Sequence, residues 1–179
     1  MLTIDNTVLL LIDVQGKLAQ IMYESEKLFA GLEIMLKAMT ILDVPVIWME
    51  QVPESIGPTI YRLAELLPDL KPIAKNTFSC CSNQEFMDRF DSLGRSKVLL
   101  TGIETHICVY QTGMDLIKTG YDVQIVADCV SSRTKENKEI GLDRIRQAGG
   151  YVTSNEMVFF ELMKAAKGDN FKQIVKLIK

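Results

Sequence analysis

Residues Lys97–Gly113 have the sequence KVLLTGIETHICVYQTG, in which an apolar run breaks at Gly102 and a helix begins near Thr105. With Thr105 as the N-cap, Cys108 falls in the first helical turn. The backbone N–H groups of that turn have no partner within the helix, and the positive end of the helix dipole lies there. Both effects favour the thiolate form of a cysteine, which is the nucleophilic form. The stretch therefore indicates covalent cysteine chemistry.

Strand and helix periodicities alternate along the whole chain. The predicted strands are Thr7–Asp13, Val44–Glu50, Pro72–Lys75, Lys97–Thr101, Asp122–Val130 and Tyr151–Ser154. The predicted helices are Ser25–Leu42, Thr59–Leu66, Asn83–Leu93, Thr105–Thr119, Lys135–Ala148, Asn155–Lys164 and Asn170–Ile178. Strands separated by helices need crossover connections, and strands that are apolar on both sides need cover on both faces. We therefore expect an α/β three-layer sandwich of Rossmann-like type, with a mostly parallel sheet between helices, in one domain over residues 1–179.

The composition is that of a globular protein, with 47% hydrophobic and 24% charged residues among 179. Its 20 basic and 23 acidic residues give a net charge of −3 without a basic block, which argues against a nucleic-acid partner. The longest apolar run, Val8–Ile12, is too short to cross a bilayer, and no secretory signal is visible. We expect a cytoplasmic protein that acts on a small molecule and has no membrane association.

The cysteine and histidine content argues against a metal centre. Cys80 and Cys81 are adjacent, Cys108 and Cys129 are isolated in the sequence, and no CxxC pair occurs. His106 is the only histidine, so a Cys/His zinc site lacks ligands. We expect no cofactor and no metal, with the cysteines other than Cys108 acting as small hydrophobic residues of the core.

In a parallel α/β sheet, ligands bind beyond the carboxyl ends of the strands. The residues at such positions in the predicted fold are Asp13, Glu50, Lys75 and Gly102–Cys108. Partial burial would raise the pKa of the Asp13 carboxyl and suit it to general-base chemistry, although a solvated strand-end carboxylate fits the pattern equally well. Lys75 follows the apolar segment Pro72–Ala74, and a buried ammonium needs a carboxylate partner, for which Asp13 is the candidate.

Several further residues are candidates for lining the substrate site. His106 lies two residues before Cys108, so in a helical turn its ring points away from the sulfur and suits hydrogen bonding better than proton transfer from Cys108. The substrate-binding candidates are Gln15, Trp48, Glu50, Phe78, His106 and Tyr110. Such residues also occur in ordinary protein cores.

The chain resembles the isochorismatase-like cysteine hydrolase family in three motifs, which are LLLIDVQ around Asp13, IAKNTFS around Lys75 and LLTGIETHICV around Cys108. The motifs keep the family's order and spacing over essentially the whole chain. The resemblance implies a six-stranded parallel sheet, with Cys108 as nucleophile, Asp13 as general base and Lys75 as the cation that holds the pair. It also implies a cis peptide bond between Ile103 and Glu104, which turns the Glu104 amide toward the site to form an oxyanion hole with the Cys108 amide. The family habit and the Met and Leu stripes on several predicted helices imply a homo-oligomer.

The segment after the second strand narrows the predicted function. Nicotinamidases of this family bind a metal there through an Asp and several histidines, but WMEQVPESIG contains neither residue type. The EQVPESIG loop resembles the metal-free branch whose substrates are unassigned. Because Cys108 is retained, attack on a carbonyl carbon is favoured over vinyl-ether cleavage. We therefore predict a metal-independent cysteine hydrolase that acts on a small amide-like or related carbonyl substrate through a thioester on Cys108.

The motifs leave three alternatives open. The same fold without turnover would be a scaffold or binding protein. An isochorismatase-type vinyl-ether hydrolase would act through Asp13. The segment LLLIDVQG also resembles the opening of a haloacid-dehalogenase-type phosphatase, in which Asp13 would be the nucleophile and magnesium would be required, although Gln15 stands where that chemistry needs a second Asp.

Overall fold

The computed structural model describes all 179 residues and is built around one sheet of six strands. The strands are β1 (Thr7–Ile12), β2 (Val46–Gln51), β3 (Ile73–Lys75), β4 (Lys97–Ile103), β5 (Asp122–Ser131) and β6 (Tyr151–Thr153). Their order across the sheet is β3-β2-β1-β4-β5-β6, and every neighbouring pair is parallel. The structure therefore confirms the predicted α/β class and its six-stranded parallel sheet.

Nine α-helices connect and cover the strands. They are α1 (Gly16–Gln20), α2 (Ser25–Leu42), α3 (Pro53–Ile56), α4 (Tyr61–Ala64), α5 (Gln84–Ser92), α6 (Tyr110–Lys118), α7 (Lys135–Gln147), α8 (Asn155–Met163) and α9 (Gly168–Leu177). Two 3₁₀ turns, Ile4–Asn6 and Cys80–Ser82, and a π-helical turn, Thr105–Val109, complete the regular structure. None of the helices combines the length and the apolar character that crossing a bilayer requires.

The core lies on both faces of the sheet, as the apolar strands predict. All six residues of β1 are buried, and successive side chains point to opposite faces. Leu9 and Leu11 pack in a cluster that includes the buried face of α2, whereas Leu10 and Ile12 pack in a cluster with Phe86 of α5. The three-layer arrangement is therefore confirmed.

The end of β4 approaches β1 so closely that only glycine fits there. A Cβ atom on Gly102 would lie 2.0 Å from the carbonyl oxygen of Ile12, and its φ of +121° is in a region that side chains disfavour. The pairing of β4 with β5 shifts register between Leu100 and Gly102. This close approach places the segment after β4 directly beside the residue that follows β1, Asp13.

The prediction of a cis peptide bond between Ile103 and Glu104 was wrong, because every peptide bond in the chain is trans. The chain turns from strand to helix through positive φ angles instead, at Gly102 and at Glu104, whose φ and ψ are 50° and 70°. Left-handed backbone at a residue with a Cβ costs about 1–2 kcal/mol. The change of chain direction between β4 and the following helix therefore uses positive φ angles at two residues and no cis bond.

The predicted helix Thr105–Thr119 begins differently from the expectation. Its first turn is the π-helical segment Thr105–Val109, which continues into α6, and the residue that precedes it is Glu104. Thr105 is therefore not the N-cap, and its buried hydroxyl has no hydrogen-bond partner. Turns of this kind occur frequently at functional sites.

Candidate active site

Three predicted side chains meet at the carboxyl ends of the strands. Asp13 directly follows β1, Lys75 is the last residue of β3, and Cys108 lies in the π-helical turn after β4. All three are buried, with exposed fractions of 3%, 3% and 6%. The fold therefore brings together residues that are separated by 62 and 33 positions in the sequence.

The Lys75 ammonium is fully satisfied although it is buried. Its Nζ atom lies 2.7 Å from Asp13 Oδ2 and 2.5 Å from Gln51 Oε1, and it donates a third hydrogen bond of 3.2 Å to the Thr77 carbonyl oxygen. An ammonium has three donors, so none is left over. This arrangement offsets part of the desolvation cost of the buried cation and fixes the position of the carboxylate.

The Asp13 backbone has a φ of +58°, in the left-handed region that aspartate tolerates better than most residues. Its N–H donates to the Met49 carbonyl oxygen at 3.2 Å, which extends the pairing with β2 by one residue. Carboxylate oxygen Oδ1 is buried and has no partner that meets hydrogen-bond geometry. The Cys108 thiol lies close enough to this carboxylate to change the pKa of both groups.

Burial raises the pKa of both members of the pair. Burial raises the pKa of the Asp13 carboxyl above its usual 3.8, and the neighbouring Lys75 ammonium opposes this shift. The pKa of the Cys108 thiol is raised by burial and by the Asp13 carboxylate, again against Lys75. Cys108 is therefore a thiol at rest, and the thiolate expected from the helix start was wrong because that argument omitted burial and the adjacent negative charge. A base is needed to make it a nucleophile.

A cavity of about 260 Å³ opens onto Cys108. Its other lining residues are Asp13, Gln15, Leu18, Gln51, Ile56, Phe78, Ile103, Glu104, Ile107 and Arg133. A larger groove of about 890 Å³ lies near the amino ends of β2 and β4 and contains none of the three converging residues. The smaller cavity is the candidate substrate site, because it lies at the carboxyl ends of the strands and holds the reactive groups.

Gln15 and Phe78 are the predicted substrate-binding residues that line this cavity. The Gln15 side chain is held by the backbone, since Nε2 donates to the Gln51 and Gly57 carbonyl oxygens and Oε1 accepts from the Gln51 N–H. Phe78 is 55% exposed. Gln15 thus shapes the wall, whereas Phe78 offers an exposed apolar ring to a ligand.

Trp48 and Glu50 lie outside the cavity and support it from behind. Trp48 Nε1 donates to the Thr59 hydroxyl at 2.7 Å, and Glu50 Oε1 accepts from the Thr59 N–H at 2.6 Å. Both side chains therefore hold the segment between α3 and α4 against the end of β2. Trp48 and Glu50 therefore position the wall of the cavity and do not line it.

His106 and Tyr110 also lie outside the cavity. His106 Nδ1 is 3.0 Å from the Ser132 hydroxyl and 3.4 Å from a carboxylate oxygen of Glu104. The Tyr110 hydroxyl accepts a 2.8 Å hydrogen bond from Arg144. Each ring is therefore engaged in protein contacts beside the site.

Arg133 and Gln51 line the cavity, but the sequence did not predict either of them as a site residue. Arg133 follows β5, and its Nε atom lies 2.6 Å from Glu104 Oε1. The strand-end rule that selected Asp13 would have selected Arg133 also, had it been applied to β5. No group of three or more His, Cys, Asp or Glu side chains lies close enough together to hold a metal ion.

A comparison with known families identifies residues 7–157 as an isochorismatase domain. The chain belongs to the isochorismatase family. This membership suggests a hydrolase. The secreted isochorismatase effector Isc1 of Phytophthora sojae is 38% identical over 178 residues, an alignment that covers 97% of this chain and 85% of the relative.

Two solved structures of isochorismatase-like fold superpose over almost the whole chain. MAR1 ribonuclease from Caenorhabditis elegans gives a TM-score of 0.92 at 32% identity, covering 99% of this chain and 91% of that chain. The YcaC gene product of Escherichia coli, described as an octameric hydrolase of unknown specificity, gives a TM-score of 0.93 at 21% identity, covering 98% and 89%. The second likeness supports the fold alone.

Proposed function

We propose that this isochorismatase-family protein is a metal-independent cysteine hydrolase that acts on a small amide-like or related carbonyl substrate. The observation that carries the proposal is the buried cluster of Asp13, Lys75 and Cys108 beside one small cavity. A cavity of about 260 Å³ is below the ~300–1,000 Å³ typical of pockets for drug-sized ligands, so the substrate is small. Residues 1–179 then act as one catalytic domain.

The first half of the reaction forms a thioester. Asp13 accepts the proton from Cys108 as the sulfur attacks the substrate carbonyl carbon, which forms the C–S bond. The carbonyl oxygen becomes an oxyanion, and the backbone N–H groups of Glu104 and Cys108 are proposed to stabilise it. The Glu104 N–H has no acceptor within the protein, which supports this role. Protonated Asp13 then gives its proton to the leaving nitrogen, and ammonia or an amine departs.

The second half of the reaction releases the acid. Asp13, again a carboxylate, takes a proton from water as the water attacks the thioester carbonyl. The C–S bond breaks, and the proton on Asp13 returns to the Cys108 sulfur. Throughout the cycle the Lys75 ammonium stays within hydrogen-bond distance of Asp13 and limits the rise in the pKa of its carboxyl.

The test is a screen of small amides with wild type and Cys108→Ala, each with and without a chelator. The proposal expects hydrolysis that Cys108→Ala abolishes and that the chelator leaves unchanged. Cys81→Ala is the matched control, because Cys81 is half-buried and outside the cavity. Turnover that survives in Cys108→Ala contradicts the nucleophile. Equal inactivity of both proteins on every substrate favours a silent scaffold, and amide hydrolysis that the chelator abolishes contradicts the metal independence.

We also propose that the protein is a homo-oligomer in the cytoplasm. Two observations support association, namely the exposed apolar side chains Met157 and Phe160 on one face of α8 and the octameric state given for the E. coli neighbour. Light scattering at micromolar concentration should give a multiple of the chain mass, and a monomer would contradict the inference. Cell fractionation tests the location, since the Phytophthora relative is named as secreted.

A further inference from the structure

Arg133 brings a positive charge to the wall of the active-site cavity that the mechanism does not use. The residue is 52% exposed, and the ion pair between its Nε atom and Glu104 fixes the guanidinium from one side. The two terminal Nη groups have no hydrogen-bond partner in the protein. The planar end of the guanidinium is thus available to a ligand in the cavity.

The other polar side chains of the cavity are mostly engaged. The Gln15 amide is satisfied by the backbone, and the Glu104 carboxylate faces Arg133 and His106. Gln51 gives its oxygen to Lys75, which leaves its Nε2 group without a protein acceptor. Two carboxylate oxygens in the lining, Asp13 Oδ1 and Glu104 Oε2, lack a hydrogen-bond partner, and the other free polar side-chain groups are the N–H donors of Gln51 and Arg133. Arg133 is the one cationic residue of the lining.

We propose that Arg133 binds a carboxylate of the substrate, so that the cavity takes a small amide that also carries a carboxylate group. The inference rests on the proposed function, because it names the substrate class of the same site. A guanidinium whose Nη groups are free matches a carboxylate with two parallel hydrogen bonds. In a cavity of about 260 Å³, a carboxylate at Arg133 and a carbonyl carbon at Cys108 belong to one small molecule.

The test uses two alkylating reagents that differ only in charge, iodoacetate and iodoacetamide, with the mass of the Cys108 adduct as the readout. Arg133→Gln should slow alkylation of Cys108 by iodoacetate about tenfold, the size of a charge-assisted contact at a half-exposed site, and leave iodoacetamide within about twofold. Arg133→Lys should recover part of the iodoacetate rate. Arg146→Gln is the matched control. Arg146 is exposed, does not line the cavity and pairs with Asp143, which lies on α7 as well. Equal changes for both reagents, or an unchanged iodoacetate rate, would overturn the proposal.

A second arm uses two competing small amides of equal length, one with and one without a carboxylate. Succinamate should protect Cys108 from iodoacetamide in wild type and lose most of that protection in Arg133→Gln, whereas neutral succinamide should protect both proteins equally. Equal protection by succinamate in both proteins would overturn the proposal. Alkylation needs only the Cys108 thiol and no turnover, so these experiments test carboxylate binding by Arg133 separately from catalysis. A failure of the proposed function would instead appear as amide hydrolysis that survives in Cys108→Ala.

Discussion

Replacing Lys75 by methionine should destabilise the protein far more than the loss of an ordinary ion pair. Lys75 and Asp13 are almost completely buried, and the ammonium gives the carboxylate its only hydrogen bond that meets geometric limits. Lys75→Met keeps a long apolar side chain but leaves the Asp13 charge unpaired. Removing one partner of a buried pair costs about 3–5 kcal/mol in the free energy of unfolding. For a chain of this size, that loss lowers the melting temperature by roughly 10 °C.

The pH dependence of the loss has a definite sign. Burial already raises the folded-state pKa of Asp13, and removing Lys75 takes away the influence that lowers it. The relevant pH range lies between the pKa of Asp13 in the unfolded chain, about 3.9, and its raised pKa in the folded protein. In that range the folded state binds more protons than the unfolded state, so the free energy of unfolding falls as the pH rises. The deficit of Lys75→Met should therefore be largest above the raised pKa and shrink as the pH falls toward the unfolded value.

Urea denaturation followed by circular dichroism measures this free energy, with two comparison proteins. The double variant Asp13→Asn, Lys75→Met should be more stable than Lys75→Met at pH 7, because it removes the unpaired charge. Lys172→Met, which breaks an exposed pair with Asp169, should change stability by less than about 1 kcal/mol. A loss below about 1 kcal/mol for Lys75→Met, or a double variant no more stable than the single one, would refute the buried-pair reasoning.

Two further outcomes follow from the close packing at the site and from its small size. Gly102→Ala should lower the free energy of unfolding by about 3 kcal/mol or more in thermal melts, because the new Cβ meets the Ile12 backbone and φ is +121°. Gly94→Ala, where φ is +60° but no atom lies near the new Cβ, should cost only about 1 kcal/mol, and equal losses would contradict the steric argument. Incubation with labelled RNA should give the same slow background cleavage for wild type and Cys108→Ala, because a 260 Å³ cavity in a chain of net charge −3 does not suit a polynucleotide. Cleavage by wild type alone would make the protein resemble its C. elegans structural neighbour in activity.

The fold was predictable because apolar periodicity changes clearly between strand and helix. The run at β1 is buried on both faces, and α2 begins and ends where its periodicity predicts. The strand-end rule then selected Asp13 and Lys75 without a structure, because parallel strands bring their carboxyl ends to one edge. Between β2 and β3, the predicted helix Thr59–Leu66 is present in shorter form as α4 (Tyr61–Ala64), but α3 was missed. Pro53 starts α3, and Gly57 with a φ of +91° ends it after a single turn.

The local geometry around Cys108 was not predictable, because tertiary contacts decide it. A Cβ on Gly141 of α7 would lie 2.7 Å from the Thr105 carbonyl oxygen, so α7 packs directly against the π-helical turn. The cis bond was implied by resemblance, and the structure makes the same reversal at Gly102 and Glu104 with trans bonds. The thiol state of Cys108 depends on burial and on Asp13, neither of which a helix-start argument contains.

The central claim is that Asp13 removes the proton from Cys108, and the rate of Cys108 alkylation by iodoacetamide from pH 4 to 10 tests it most directly. In wild type the rate should persist at neutral pH and fall only as the pH drops through the raised pKa of Asp13, because the carboxylate acts as base during attack. In Asp13→Asn the reaction should follow a simple thiol titration, without the fall at acidic pH that the Asp13 carboxylate causes in wild type. A wild-type profile with one ordinary thiol titration near pH ~8.5, the same in both proteins, would contradict the account.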